Sequence, residues 1–363
     1  MQDEIELKLA LSPEDMRRLR RHPLVRSLAR GRASTKTLVS TYYDTPDHEL
    51  RDRRMALRVR QIGPRRVQTL KLQAAEGSQS AKHYLEFEAE VEGERPNLGL
   101  IDDEALQASL SANGLAERLE PAFTTTFKRS SIPLRFADSE LELALDDGEI
   151  TAGERKAPIC EAELELVSGR PTRIYELALA LGERIGFRLE RRTKAARGYA
   201  LSEEIKPVAV RANGVALKPA MTARAGLEAA VRSCLAQIAA NEAVVQAGED
   251  EEGVHQLRVG VRRLRALVAA FRPMLHPDAV AYLREELSWL QQSLGGAREW
   301  DVFIAETLEP LGRRLPACAG LAALETQARS LREQAYETAR AALVDPRYTR
   351  ILLRLDLWLE DGG

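Results

Sequence analysis

Cysteine is scarce in this 363-residue chain: Cys160, Cys234 and Cys318 are the only three. They fall at neither metal-ligand nor disulfide spacing, which excludes a zinc ribbon or a disulfide scaffold as the organising device and leaves free thiols in a reduced compartment as the expectation. Excess charge of one sign is missing too. A net charge of −2 gives no global attraction for nucleic acid, so any basic site has to be local. Apolar runs reaching about 18 residues are absent, so nothing is expected to span a membrane. The N-terminus carries Asp3, Glu4 and Glu6 in place of the basic start and apolar core of a signal peptide, and a cytoplasmic location is expected. His22, His48, His83 and His276 sit in no ligand pattern.

What the chain has in quantity is alternation. In Glu4-Ile5-Glu6-Leu7-Lys8 successive side chains of a strand point to opposite faces, so the charged residues share one face and the apolar ones the other. The pattern recurs with Arg58 and Arg60 against Leu57 and Val59, and with Lys71 against Leu70 and Leu72. Glu86, Glu88 and Glu90, then Glu142 and Asp146, then Glu161, Glu163 and Glu165 complete six such strands. Two architectures fit: an open antiparallel sheet with one solvated face, or a barrel with a charged lumen and helices over its outside. Carboxylates on alternate residues lie roughly 6.6 Å apart and repel one another unless cations compensate. Lys8, Arg58, Arg60 and Lys71 supply fixed cations, and oxygen clusters of this kind invite a hard divalent metal such as magnesium or manganese. Separate groups of acids and bases on one face suit a metal-bound polyanion.

Helices are expected from Ser12-Pro13-Glu14-Asp15 to near Gly31, from about Asp102 to Leu119, and after Pro171. The last carries Ile174, Leu177, Leu181 and Ile185 at helical spacing before Gly186. Residues 203–220, with Pro207, Gly214 and Pro219, read as a linker between a first domain over 1–202 and a second over 221–363. After it every segment looks helical and lysine ends at Lys218, while 17 Arg stand against 20 Asp plus Glu. Within Val254 to Arg265, the residues Val254, Leu257, Val261, Leu264 and Val268 form an apolar stripe at 100° per residue. His255, Arg258, Arg262 and Arg265 form a stripe beside it, and Arg263 points elsewhere.

Seven blocks in order carry a resemblance: Glu4 to Lys8, Tyr42-Tyr43-Asp44-Thr45-Pro46, Leu57 to Arg60, Thr69-Leu70-Lys71, Leu141 to Asp146, Cys160 to Glu165, and Lys194-Ala195-Ala196-Arg197-Gly198-Tyr199. Together, over about residues 1–202, they resemble the CYTH superfamily of triphosphate tunnel enzymes, the inorganic triphosphatase branch in particular. The resemblance implies an α+β fold with an eight-stranded antiparallel barrel tunnel and metal-dependent hydrolysis of inorganic triphosphate inside it. It assigns phosphate binding to Lys8, Arg58, Arg60, Lys71, Arg129, Lys194 and Arg197. It gives the metal to Glu4, Glu6, Asp146, Glu163 and Glu165, and the catalytic centre to Glu4, Glu6 and Lys8, with Mg2+ or Mn2+ as cofactor. At position 129 strand parity disagrees, because it groups Lys128 with Thr124 and Thr126; a bulge would reconcile the two. For Glu86, Glu88 and Glu90 a salt-bridge network and direct metal ligation stand side by side. One of Tyr42 and Tyr43 is expected as a buried aromatic anchor.

The second domain, through Val254 to Arg265 and Leu294-Gly295-Gly296-Ala297-Arg298-Glu299-Trp300-Asp301-Val302, resembles the first half of a CHAD domain. That implies a helical bundle binding inorganic polyphosphate through His255, Arg258, Arg262 and Arg265. Arginine forks match closely spaced phosphate oxygens well. The expected partners are triphosphate and polyphosphate, without nucleic acid or membrane. Two other functions fit the same residues: a protein that binds polyphosphate, in association with its granules, and catalyses little; or a thiamine triphosphatase or adenylate cyclase type of relative. No adenine-reading motif or aromatic sandwich favours the last.

Overall fold

A computed structural model describes residues 3–73, 81–111, 114–204 and 206–361. By contacts the chain divides into residues 1–206 with 356–363, and residues 207–355.

The first unit is built on nine antiparallel strands: β1 Asp3–Leu11, β2 Ser34–Asp44, β3 Met55–Ile62, β4 Arg65–Gln73, β5 Ala81–Glu90, β6 Glu120–Phe136, β7 Ser139–Ala152, β8 Arg155–Ser168 and β9 Phe187–Leu189. Their order is β5-β4-β3-β2-β6-β7-β8-β1-β9, and β1 also pairs with β5. Among the described residues the sheet has nine strands where eight were expected, the additional one being the three-residue β9 beside β1. On one edge β1 pairs with β8 through Glu6 to Ala10. On the other, Asp3 to Leu7 pair with β5 and Leu9 to Leu11 pair with β9. The short ninth strand satisfies the backbone groups of β1 beyond the point where β5 stops.

The helices of this unit are α1 Pro13–Arg20, α2 Pro23–Leu28, α3 Glu49–Asp52, α4 Glu104–Ser111, α5 Thr172–Leu181 and α6 Lys194–Glu203. The helix expected from Ser12 to Gly31 is two helices, because Pro23 starts a new one and cannot donate the bond that would continue the first. Helix α5 buries Ile174, Leu177 and Leu181 completely and lies against β1 and β8. Burying each such side chain stabilises by roughly 1.5–3 kcal/mol. A second cluster joins Leu57, Val59 and Leu70 to Leu98, Ile101, Leu110 and Leu115.

A third cluster occupies the other sheet face. Leu38, Tyr42, Phe123, Phe127, Ile150 and Ile159 pack against Ala195 and Tyr199 of α6. Tyr42, Phe127 and Ile159 have the same strand parity as Ser40, Arg129 and Glu161, so the charged face turns apolar at one end and α6 seals it. Gly198 permits this approach, since a Cβ there would stand 2.1 Å from Phe123 Cε2. The Thr193 side chain caps α6 by accepting from Ala196 N.

Along residues 207–363, α7 Ala223–Ala247, α8 Glu251–Ala270, α9 Pro277–Ser293, α10 Gly295–Phe303, α11 Glu309–Arg314, α12 Ala319–Val344 and α13 Pro346–Glu360 follow in order, with the last residues of α13 counted by contacts in the first unit. A π-turn over Ile304–Leu308 separates α10 from α11. The α8 stripe of Val254, Leu257, Val261, Leu264 and Val268 is buried. No helix among the described residues is long and apolar enough to cross a membrane.

Candidate functional site

Strands β7 and β8 lay Asp146 beside Glu161 in register, and β1 lays Lys8 beside Glu163. Asp146, Glu161 and Glu163 are buried at 0%, 1% and 6% exposure, with one oxygen of each within 4.8 Å of the others. Such a group folds only because cations enter it. Lys194 Nζ, from the first residue of α6, lies 2.7 Å from Asp146 Oδ2 and 3.0 Å from Glu163 Oε1, and bonds Glu161. Arg129 donates Nε to Asp146 Oδ1 at 2.7 Å and bonds Glu163 through Nη2. Lys8 Nζ reaches Glu163 Oε1 at 2.8 Å and Glu6 Oε2 at 2.7 Å. Arg197 donates to Glu161 Oε2 at 2.9 Å.

On this wall four cations thus face four carboxylates, Glu6, Asp146, Glu161 and Glu163. Burial alone would raise the Glu163 pKa, but Arg129, Lys194 and Lys8 hold it well below the usual carboxylate range. Burial likewise opposes the charge on Lys8 and Lys194, and the surrounding carboxylates push both above the ordinary lysine value.

The opposite wall is not balanced. Arg58 and Arg60, two apart on β3, make no ion pair with a carboxylate among the described residues. Arg60 donates Nε to Ser40 Oγ at 3.0 Å. Arg58 hydrogen-bonds the Tyr42 hydroxyl, and its own Nε is buried without a partner. Burial, then the neighbouring Arg58, pushes the Arg60 pKa down to about 9. Tyr42 responds in the opposite sense: burial raises its pKa, yet Arg58 and Arg60 bring it below its ordinary value. A cavity of about 350 Å³ separates the two walls and is lined by Glu6, Lys8, Arg58, Arg60, Arg129 and Lys194 among others.

Of the residues expected at the site, Lys8, Arg58, Arg60, Lys71, Arg129, Lys194, Glu6 and Glu163 line this cavity. Lys71 ion-pairs Glu86, and Thr69 donates to Glu88 Oε1 at 3.0 Å; Glu90 instead pairs with the exposed Arg65. Glu4 lies in β1, but its side chain falls outside the described residues. Asp146 stands behind Arg129 and Arg197 behind Glu161, neither lining the cavity. Glu165 is half-buried on β8, in register with Glu6 and Glu142, outside the carboxylate trio.

Arg129 faces inward and Lys128 is exposed, without a bulge, for Thr124 to Phe136 keep continuous register with β7. The parity reading fails because the inner face of β6 is the apolar one, Phe123 and Phe127, and its polar Thr126 and Lys128 face out. Three features went unassigned from sequence. Glu161 had the right parity. Ser40 and Tyr42 steady the two β3 arginines. Phe127 presents its ring to Lys194 Nζ at 4.9 Å and to Arg129 at 5.7 Å, a cation–π floor under both. His48, in no ligand pattern by sequence, has a structural place: its Nε2 lies 2.7 Å from Glu203 Oε1.

In the helical unit Arg262 and Arg265 of α8 are exposed and line a second cavity of about 730 Å³ with Arg272 and Arg284, opposite a single acid, Glu285. Arg272 and Arg284 carried no periodic signal, since they come from the turn after α8 and from α9. Arg258 is half-buried and donates to Gln291 O at 3.1 Å, and burial followed by the nearby Arg262 and Arg298 lowers its pKa despite Glu299. His255 is half-buried on the same helix. Arg263 points to α7, donating to Gln237 Oε1 and Ser233 Oγ. Asp301 is buried and accepts from Arg332 Nε at 2.7 Å and from the Tyr336 hydroxyl at 3.0 Å, a structural tie between α10 and α12.

The CYTH domain profile matches residues 2–199. The chain belongs to the CYTH family. A CHAD domain profile matches residues 229–363, which corrects the expectation of a first half only: the C-terminal region is matched as a whole, and helices α7 to α13 occupy it. The CYTH chain is 33% identical over 213 residues to an inorganic triphosphatase of Haemophilus influenzae, covering 56% of each protein. It therefore spans just over half the length of that relative. Among solved structures, the CHAD domain of Ricinus communis is 34% identical, with 43% of this chain and 51% of that one covered and a TM-score of 0.37. A Hippeastrum protein described as a candidate adenylyl cyclase with a dominant triphosphatase activity is 20% identical, with 54% and 95% covered and a TM-score of 0.40.

Proposed function

We propose that the strand-rich unit hydrolyses inorganic triphosphate with the help of Mg2+ or Mn2+, inside a barrel that eight of its strands form, and that the helical unit binds polyphosphate. The observation that carries this reading is the unbalanced arginine pair: Arg58 and Arg60 have no ion-pair partner among the described residues, and the cavity lining sets eight Lys and Arg against Glu6, Glu86, Glu88 and Glu163, which leaves surplus positive charge for an anion. The β1 pairing with both β8 and β5 supports a barrel around it.

A linear triphosphate suits that surplus. Phosphoryl transfer asks a protein chiefly for positioning and electrostatic stabilisation. Arg58, Arg60 and Lys71 would take phosphate oxygens from one side; Lys8, Arg129 and Lys194 would take them from the other, each keeping a carboxylate that fixes its direction. Glu163, held anionic by three cations, orients these groups and is a poor proton acceptor. The donor set fits a hard divalent ion, since Glu6, Asp146, Glu161 and Glu163 offer only carboxylate oxygens. Glu6 and Glu163, which line the cavity, would hold it together with Glu4, whereas Asp146, off the cavity lining and tied to Arg129 and Lys194, and Glu165 would stand behind them. When bound it supplies charge neutralisation at the phosphates. Glu6, the member of the balanced wall paired with a single cation among the described residues, Lys8, is the carboxylate placed to accept a hydrogen bond from the attacking water.

Phosphate release from triphosphate, ATP and thiamine triphosphate, with and without Mg2+ or Mn2+, tests the reading. Triphosphate is expected to turn over fastest, only with metal, and about 100-fold slower in Glu6→Ala, on the scale of losing one electrostatic catalytic group. Wild type as inert as that variant, with binding intact, would leave a protein that grips polyphosphate without cleaving it. For the helical unit, His255, Arg258, Arg262 and Arg265 remain the proposed polyphosphate contacts.

A further inference from the structure

A third arginine stands just before the β3 row. Arg54 lines the same cavity as Arg58 and Arg60 and is exposed. It makes no ion pair among the described residues, whereas its neighbour Arg51 is tied to Glu203 and Asp52. Its backbone is left-handed, φ 58°, a conformation that arginine adopts at a cost and that glycine would adopt freely. Its N–H closes the end of α3 onto Arg51 O at 2.8 Å. A left-handed residue is an ordinary way to stop a helix, and His48, Ala137 and Glu204 share this backbone; what sets Arg54 apart is that its guanidinium, unpaired among the described residues, lines the cavity.

Residues 56, 58 and 60 share strand parity on β3, Arg54 stands just before the strand, and Ala56 between Arg54 and Arg58 also lines the cavity. The small side chain leaves room for an extended anion to run from the half-buried Arg60 past Arg58 to the exposed Arg54. Around this rim the cavity lining carries Met55, Ala56, Arg51 and Arg54. Tyr199 hydrogen-bonds Asp44 and lies edge-on to Phe123, and Tyr42 is stacked on Phe123, so neither ring is paired for clasping a base.

We propose that Arg54 is the outermost phosphate contact and sets chain-length preference: the cavity takes linear inorganic polyphosphates of more than three phosphates with the extra phosphate on Arg54. The proposal rests on the hydrolytic reading above. Its test compares wild type, Arg54→Gly, which suits the backbone, and Arg54→Lys, which keeps a charge. KM and kcat are measured for tripolyphosphate and tetrapolyphosphate, and binding of both to the metal-free protein is measured by calorimetry. Arg54→Gly is expected to raise KM for tetrapolyphosphate about tenfold, on the scale of one charge-assisted hydrogen bond, and to leave kcat and the tripolyphosphate KM within about twofold. Arg54→Lys restores part of the loss. An active wild type whose tetra-to-tri ratio is unchanged in Arg54→Gly overturns the role of Arg54 alone. A wild type that neither binds nor cleaves either anion overturns it together with the hydrolytic reading.

Discussion

Glu163 is the residue on which the neutral wall converges, with Lys8, Lys194 and Arg129 all bonded to it. Buried charges survive only when paired, and removing one partner from a buried pair costs about 3–5 kcal/mol. Its folded pKa lies below the ordinary 4.5. The stabilisation is therefore complete above about pH 4.5 and is lost as pH falls toward the folded value. Glu163→Gln is expected to lower stability at pH 7 by about 3 kcal/mol and to flatten the loss of stability with acid. Urea melts from pH 7 down to pH 3 check both, and parallel acid slopes for the two proteins would remove Glu163 from this role. Arg58 and Arg60 present the reverse case. Their crowding is unfavourable while no anion lies between them, and binding an anion relieves it. The same physics underlies the proposed role of the pair in binding an anion.

At the scale of elements, α6 decides whether the site exists. It carries Lys194 into the carboxylate cluster and can do so only because Gly198 lets Phe123 lie against the helix backbone. Gly198→Ala would put a methyl 2.1 Å from the Phe123 ring. Overpacking of this kind costs about 1–3 kcal/mol, so a lowered melting temperature and a weaker grip on triphosphate are expected together. A variant that keeps both would show that α6 can shift without moving Lys194. Elements were also where sequence reading was most uneven. The charged faces of β1, β3 and β8 were legible because their alternation is strict. Strand β6 was not, since Thr124, Thr126 and Lys128 look like a site face and face outward. Pro23 likewise divided a helix that periodicity alone joined.

At the scale of the whole molecule, each unit has an arginine-bearing cavity, lined mainly by strand residues in the first and by helix residues in the second. Exposed arginines bind polyanions through counterion release and depend on salt. Replacing Arg262 and Arg265 together by alanine is expected to weaken polyphosphate binding about tenfold and to reduce its salt dependence, with triphosphate turnover unchanged, since losing two phosphate contacts removes two released counterions. Arg258 is left in place because it also ties α8 to Gln291 O. Titration at two ionic strengths reads the effect, and an unchanged affinity would make the α8 stripe an ordinary solvated helix face.

By itself the sequence determined which residues share a face, because period 2 and period 3.6 are local properties of strand and helix. That was enough to separate a strand-rich part from a helical one and to bring Lys8, Arg58, Arg60 and Glu163 to notice. Only the tertiary structure decided which charges neutralise which. Ion pairing depends on distances between strands far apart in the chain, and no local period encodes them. It therefore fell to the fold to balance Glu6, Asp146, Glu161 and Glu163 against four cations, to turn Arg129 inward, and to leave Arg58 and Arg60 without an ion-paired carboxylate among the described residues.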